Sequence, residues 1–393
     1  MGGLTIVSDL NQLDALEWDA LGAGHPFSSH AYLLALQESG SVDAATGWQP
    51  LHLALHREGR LVAAMPLYLK THSRGEYVFD MIWAHAFERH GLAYYPKLLC
   101  AIPFTPVPGP RLLAANANDR TALIDAAMGL AREHELSSVH VLFPETVDRQ
   151  ALIEAGFMVR HDVQFHWRNE HYRDLDDFLS RFNQAKRKKI RQDSRQVRQA
   201  GVRFRHVTGD AVDDEILSFF FRCYRRTYLE HGNPPYLNLD FFRRLRASMP
   251  ESLLIVLALL DDEPVAAALN IRGGDRLFGR YWGAMQFVSG LHFETCYMQA
   301  IGYCIEHGLE GFEGGAQGEH KLARGMLPER TSSAHWVRDQ RYAAAIGDFL
   351  RREKPAVDLY LSELRAHSPF KRREDEAGPQ PSRRLGGEPK GKP

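Results

Sequence analysis

The chain has 393 residues, 44% hydrophobic and 25% charged, enough for two to three ordinary globular domains with sizeable cores. No run of about eighteen apolar residues is free of charge, and the N-terminal MGGLTIVSDLNQLD has no basic segment leading into an apolar one, so a cytoplasmic protein without stable membrane insertion is expected. The formal net charge of −1 hides an asymmetry: Arg181 to Arg205 holds ten Lys or Arg against one Asp, and the chain from Lys371 onward holds seven against four acids.

In chain order, HPFSSHAYLLALQESG places Ser28 or Ser29 as the N-cap of an apolar helix that stops at Gly40. LHLALHREGRLVAAMPLYLK alternates as a hairpin turning at Glu58-Gly59, and Tyr77 to Ala84 reads as a further strand. The stretch from Leu92 to Leu113 is rich in proline and aromatics and predicts a long ordered loop beside a pocket. A helix over about Asp119 to His134, a strand at SSVHVLFP, a short helix ending at Gly156 and a final hairpin complete the first half.

A basic helix follows, with Phe178 and Phe182 on one face. Arg187, Arg191, Arg195 and Arg198 form a stripe opposite Ile190 and Val197, and Gly201 ends the helix. Four consecutive cations, Lys186 to Lys189, sit in its first turn. There the free N–H groups already favour anions, so Lys186, Arg187 and Arg191 are candidate phosphate contacts.

The second half repeats the order of the first. At an offset of 199, Phe79 and Trp83 match Phe278 and Trp282. At 203, residues 62–64 match 265–267. At 173, Ala127, Gly129, Glu133, His134 and Leu136 match Ala300, Gly302, Glu306, His307 and Leu309. Each copy reads as helix, hairpin, strand, helix, strand, with 26 extra residues expected at the proline-aromatic loop of the first. The repeated helix of the second copy, carrying Phe293, Tyr297, Ala300, Ile301, Cys304 and Ile305, stops at Gly308 and leads into FEGGAQGEHKLARG. Glycines 311, 314, 315 and 318 are poor strand filler and mark a bulge or a close approach of backbone to a ligand. Beyond it Pro328 is expected to break the chain and AHWV to form a short strand. Arg338 to Glu353 and Ala356 to Ala366 read as closing helices, and the tail past Pro369 as disordered.

The glycine-rich stretch gathers the groups that acyl transfer to an amine requires: a base, donors for the oxyanion and positive charge for a phosphorylated carrier. Glu319, His320 and Glu313 are the candidate bases. Lys321 or the N–H groups around Gly315 to Gly318 are candidate oxyanion donors, and Arg324 a phosphate contact. Gln317, His292, Glu294, Tyr281 and Trp282 are candidate substrate contacts. Cys100, Cys223, Cys296 and Cys304 form no CxxC pair, and His292, Glu294, Glu319 and His320 have no spacing that demands a metal, so reduced core thiols and no metal are expected.

HPFSSHAYLLALQESG, PFTPVPGPRLL, the KRKKIRQD helix and, above all, HFETCYMQAIGYCIEHGLEGFEGGAQGEHKLARGMLP with TSSAHW resemble the bacterial FemAB-like family of N-acyltransferases of peptidoglycan biosynthesis or recognition, over about residues 4–370. The resemblance implies an α/β (α+β) fold of two tandem acetyltransferase-like mixed-sheet domains related by duplication. They would lie at 1–170 and 207–370, with a basic connector at 171–206, a tail at 371–393 and the active cleft in the second. It also implies acyl-CoA or aminoacyl-tRNA as co-substrate, no tightly bound cofactor, and an amine acceptor that is a small molecule or a cell-wall precursor. Near QFVSGL, Gln286 fits the pyrophosphate signature of acetyltransferases, but Ser289 and Leu291 replace its small residues, which lowers coenzyme A as donor. The alternative is a non-catalytic module whose basic helix binds tRNA or a phosphorylated lipid or peptidoglycan precursor.

Overall fold

The computed structural model describes residues 3–315 and 318–371; Gln317 and the tail beyond Lys371 lie outside them. In the first half, β1 (Leu4–Val7), α1 (Ala15–Leu21) and α2 (His30–Glu38) precede β2 (Trp48–Pro50), β3 (His52–Arg57), β4 (Arg60–Met65) and β5 (Leu67–Lys70). Then come α3 (Met81–Arg89), β6 (Lys97–Cys100), β7 (Leu113–Ala114), α4 (Ala117–Glu133), β8 (Ser138–Leu142), α5 (Thr146–Glu154) and β9 (Met158–Arg168). The basic segment supplies α6 (Leu175–Ser180) and α7 (Gln184–Gln199). The second half has β10 (Arg203–Thr208), α8 (Asp214–Glu230), α9 (Leu239–Ser248), β11 (Leu253–Leu260), β12 (Glu263–Gly273) and β13 (Arg276–Ala284). A helix made of α10 (Leu291–Phe293), a π turn (Glu294–Met298) and α11 (Gln299–Glu306) leads to β14 (Gly311–Glu313), a 3-10 turn (Glu319–Arg324), β15 (Leu327–Val337) and α12 (Gln340–Ala366).

The duplication is real at the level of topology. Each half contains one parallel strand pair, β6 with β8 and β13 with β14, bridged by a helix crossover inside an otherwise antiparallel sheet. The halves share that sheet, in the order β10-β11-β12-β13-β14-β9-β15-β8-β6-β5-β2. The last strand of each half is exchanged: β9 lies beside β14, β15 beside β8, and the two pair with each other over nine register positions. Apolar residues on alternating strand positions bury both faces of the second half. Phe278, Leu269 and Ile271 pack with α2, α8 and α9, whereas Leu277, Ala268 and Phe312 pack with α6, α7 and α11.

Several expectations are corrected. Residues 81–84 are helical, because Trp83 and Phe87, four apart, are the buried pair and Phe79, Met81 and Ile82 are exposed. The counterpart of β13 is therefore β6, and the match of Phe79 and Trp83 to Phe278 and Trp282 is coincidental. The extra residues of the first half flank β6 on both sides, at 71–96 and 101–112. The hairpin expected at the end of that half is the single strand β9, whose partners come from the other half. Pro328 does not break the chain: it sits at the second position of an eleven-residue β15, where β9 pairs on one side and β8 has not yet joined, so no ladder bond is lost to the missing N–H on that open side. The two closing helices are one, with Pro355 inside it.

Candidate active site

The parallel pair β13–β14 holds register only from Arg276–Gly311 to Phe278–Glu313. Beyond that point β13 continues to Ala284, while the other chain turns away through Gly314 and Gly315, the latter at φ 85°. The two strands splay into a wedge. A Cβ on Gly314 would stand 2.6 Å from Met326 Cε and one on Gly279 3.2 Å from the Phe312 ring, so neither glycine leaves room for a side chain. The wedge opens into a cavity of about 120 Å³ lined by Asn270, Trp282, His292, Cys296 and Tyr297 among others.

Lys321 closes the mouth of the wedge. It is 2% exposed, and its Nζ donates to the Gly315 carbonyl at 2.7 Å. Burial brings its pKa down to about 8. Next to it, the His320 ring bonds the Tyr297 hydroxyl at 3.1 Å and lies 6.2 Å from the His292 ring. Burial, then the charges of His320 and Lys321, bring His292 down to about 4, so it is a neutral imidazole at pH 7. Trp282 packs on His292 at 5.2 Å. Arg324 is buried over the Phe293 ring and paired with Asp193 at 2.9 Å.

Of the sequence candidates, Lys321, His320, His292 and Trp282 are brought together at the wedge. Most of the others sit elsewhere. Glu319 is exposed and accepts from the Tyr360 hydroxyl at 2.6 Å. Glu294 turns toward α7, accepting from the Ser194 hydroxyl at 2.5 Å and from Gln299. Tyr281 lines the wedge cavity, while its ring packs in the core of the other sheet face, 5.0 Å from Tyr224. On α7, Arg191 pairs with Asp176 at 2.8 Å, Arg187 reaches the Ser180 carbonyl, and Lys186 is exposed. Gln317 lies outside the described residues.

Glu313, only one of three candidate bases from sequence, takes the pivotal place at the last register pair before the splay. It is 8% exposed, 3.4 Å from Arg276 and 3.7 Å from His166 Nε2, and burial raises its pKa to about 7. Tyr297, Asn270 and His166 were missed altogether. Gly279 on β13, facing the glycines that follow β14, was the available signal for where the wedge opens.

A duplicated mixed α/β fold with one open parallel wedge among the described residues defines the class of protein. The chain belongs to the FemAB-like family, described as peptidoglycan biosynthesis/recognition, whose pattern matches residues 9–372. Among solved structures it is similar to FemX, at 14% identity and a TM-score of 0.53 over 85% of this chain and 98% of that one. It is also similar to L-PGS from Bacillus licheniformis, at 10% identity and a TM-score of 0.53 over 88% and 97%. A conserved protein of unknown function from Bacteroides thetaiotaomicron VPI-5482 aligns at 10% identity and a TM-score of 0.50 over 86% and 100%. No match is found among curated proteins. Among the described residues no helix is long and apolar enough to cross a membrane.

Proposed function

We propose that the protein is an N-acyltransferase that moves an acyl or aminoacyl group from an activated carrier to a primary amine in the wedge between β13 and β14. The observation that carries this reading is Lys321: a buried ammonium beside a strand splay, held on the backbone carbonyl of Gly315, where an added Cβ would meet nothing nearer than 3.9 Å. A cation fixed in a water-poor site stabilises the oxyanion of a tetrahedral intermediate without reorganising. His292 and the His320–Tyr297 pair flank the same space.

The packing of α7 favours aminoacyl-tRNA over acyl-CoA as donor. A Cβ on Gly290, at the N-terminus of α10, would stand 3.3 Å from Val197 Cγ2 and 3.8 Å from the Asp193 carbonyl oxygen. The helix end that would receive a coenzyme pyrophosphate is thus covered by apolar and carbonyl groups. Four cations of α7, Arg187, Lys188, Arg191 and Arg195, line an outward groove of about 620 Å³ that suits a phosphodiester backbone, and Lys186 lies outside it. Membership of a peptidoglycan biosynthesis/recognition family supports a cell-wall precursor as the amine.

The test is transfer of label from aminoacyl-tRNA and, separately, from acyl-CoA to an amine pool, with Lys321→Met as control. Transfer from the tRNA that the variant loses is the expected result. A protein that binds tRNA, transfers nothing and binds equally well as Lys321→Met would instead be the non-catalytic module that the basic helix alone suggests.

A further inference from the structure

On the opposite face of the sheet from Lys321, where the two halves meet, lies a second cavity of about 520 Å³. Glu313, His166 and Thr331 line it from β14, β9 and β15, Phe278 and Arg276 from β13, and the turn at Pro108–Pro110 from the first half. Three side chains in its wall, each more than nine-tenths buried, keep polar atoms without a hydrogen-bond partner: Glu313 Oε2, Thr331 Oγ1 and Ser332 Oγ. Buried polar atoms are ordinarily satisfied, and leaving three open in one cavity costs stability that a bound polar molecule would restore. The cavity also carries Arg149, Arg168, Arg276 and Arg330 against Glu145, Glu313 and Glu329. Arg149 makes no ion pair among the described residues, whereas Arg168 and Arg330 are neutralised by Glu329 and Asp358.

This cavity and the Lys321 wedge flank the same two strands. Phe278 and Glu313 form the last register pair, and the next positions on each strand are Gly279 and Gly314, which line the wedge cavity. At these positions neither strand carries a side chain of its own, and Met326 and Phe312 pack against the bare backbone.

We infer that this cavity is the acceptor site, that it takes a primary amine whose carrier bears a carboxylate or phosphate a few bonds away, and that Glu313 is a further catalytic residue. The inference rests on the transfer reading above. The ammonium donates one proton to the Glu313 carboxylate, and the freed amine attacks the acyl carbon. The C–N bond forms first, giving the tetrahedral oxyanion; its collapse breaks the bond from the acyl carbon to the carrier oxygen (or sulfur), and the leaving atom takes a second proton from the nitrogen. Arg276 and Arg149 hold the anionic group, and Thr331 and Ser332 bond the polar body of the acceptor. Glu313 faces Arg276 and Arg280 from β13, His166 from β9 and Glu329 from β15; burial outweighs the two arginines and places its pKa near 7, so it can accept a proton and release it again at neutral pH.

The experiment measures binding of three probes by ligand-observed NMR: phosphoethanolamine, β-alanine and ethanolamine. The first two carry the anion as phosphate or carboxylate, and the third lacks it. Expected is about tenfold tighter binding of at least one anionic probe than of ethanolamine, with the tighter one naming the source of the charge. Arg149→Gln and Arg276→Gln should remove that preference. Glu313→Gln should weaken all three, and Lys321→Met none. Equal binding of the three probes, no binding, or binding that depends on Lys321 but not on Glu313 or Arg149 would overturn the inference. Should Glu313→Gln fail to fold, Arg149→Gln and Thr331→Val at the same wall still decide it. Probe binding that follows this pattern in a protein that transfers nothing would sink the transfer reading and leave the site standing.

Discussion

The two halves place the same parallel strand pair in the same crossover, and only one of the two wedges is open. In the second half β13 and β14 part at glycines and a lysine reaches in. In the first, β6 ends at Cys100, and the chain loops back so that Gly109 bridges Pro144 just past the end of β8. Backbone fills the gap, and Arg111, fully buried, staples it: its guanidinium donates to the carbonyls of Val107 at 2.6 Å, Pro110 at 3.0 Å and Leu142 at 2.8 Å. Asp148 at the start of α5 accepts from the backbone N–H groups of Arg111 and Leu112. A buried cation whose three nitrogens each meet a fixed carbonyl is structure. A buried cation with one carbonyl partner among the described residues keeps two donors unused, as the transfer reading asks of Lys321.

That contrast can be broken at its largest effect first. Arg111→Met should cost about 3–5 kcal/mol in urea unfolding, because it leaves three buried carbonyls unpaired, while activity per folded molecule persists. Lys321→Met should do the reverse, lowering single-turnover transfer by about 10²–10³-fold with the fold intact. Its effect on stability has a defined sign. The folded pKa is near 8 against 10.5 for the free side chain, so the unfolded chain holds more protons between those values and stability rises with pH across that window by about 3 kcal/mol. The Met variant should lack that rise in paired pH-dependent melts. With Glu313 needed as carboxylate above about 7 and Lys321 as ammonium below about 8, transfer against pH should be a narrow bell. Glu313→Gln should erase its acid limb. The smallest effect is expected of Glu319→Gln: an exposed carboxylate bonded to Tyr360 should change transfer by less than about threefold, and a larger loss would move the base from Glu313 to Glu319.

The duplication and the glycine-rich candidate stretch were legible in the sequence because both rest on local chemistry. Gly, Lys and His cluster at a strand end, and helices α4 and α11 share their apolar spacing. What stayed hidden depends on partners far along the chain. Pro328 argues against a strand until β9 is known to cover one side of it, and Trp83 reads as a strand residue until Phe87 is seen to share its helical face. The exchange of β9 and β15 leaves no mark in either segment. The same distance conceals the acceptor cavity, whose wall draws on β9, β13, β14, β15 and three first-half loops. Glu313 could be named from its neighbours in sequence, but its preference over Glu319 follows only from register.

The strand exchange also orders events in time. β15 begins two residues after the turn that ends at Gly325, and it must pair with β8, laid down nearly two hundred residues earlier, before the sheet is continuous. Contacts of such long sequence separation form late. During synthesis, the first half therefore waits with one edge of β8 exposed until β15 inserts. The continuous sheet that joins the halves is thus among the last features of the molecule to form.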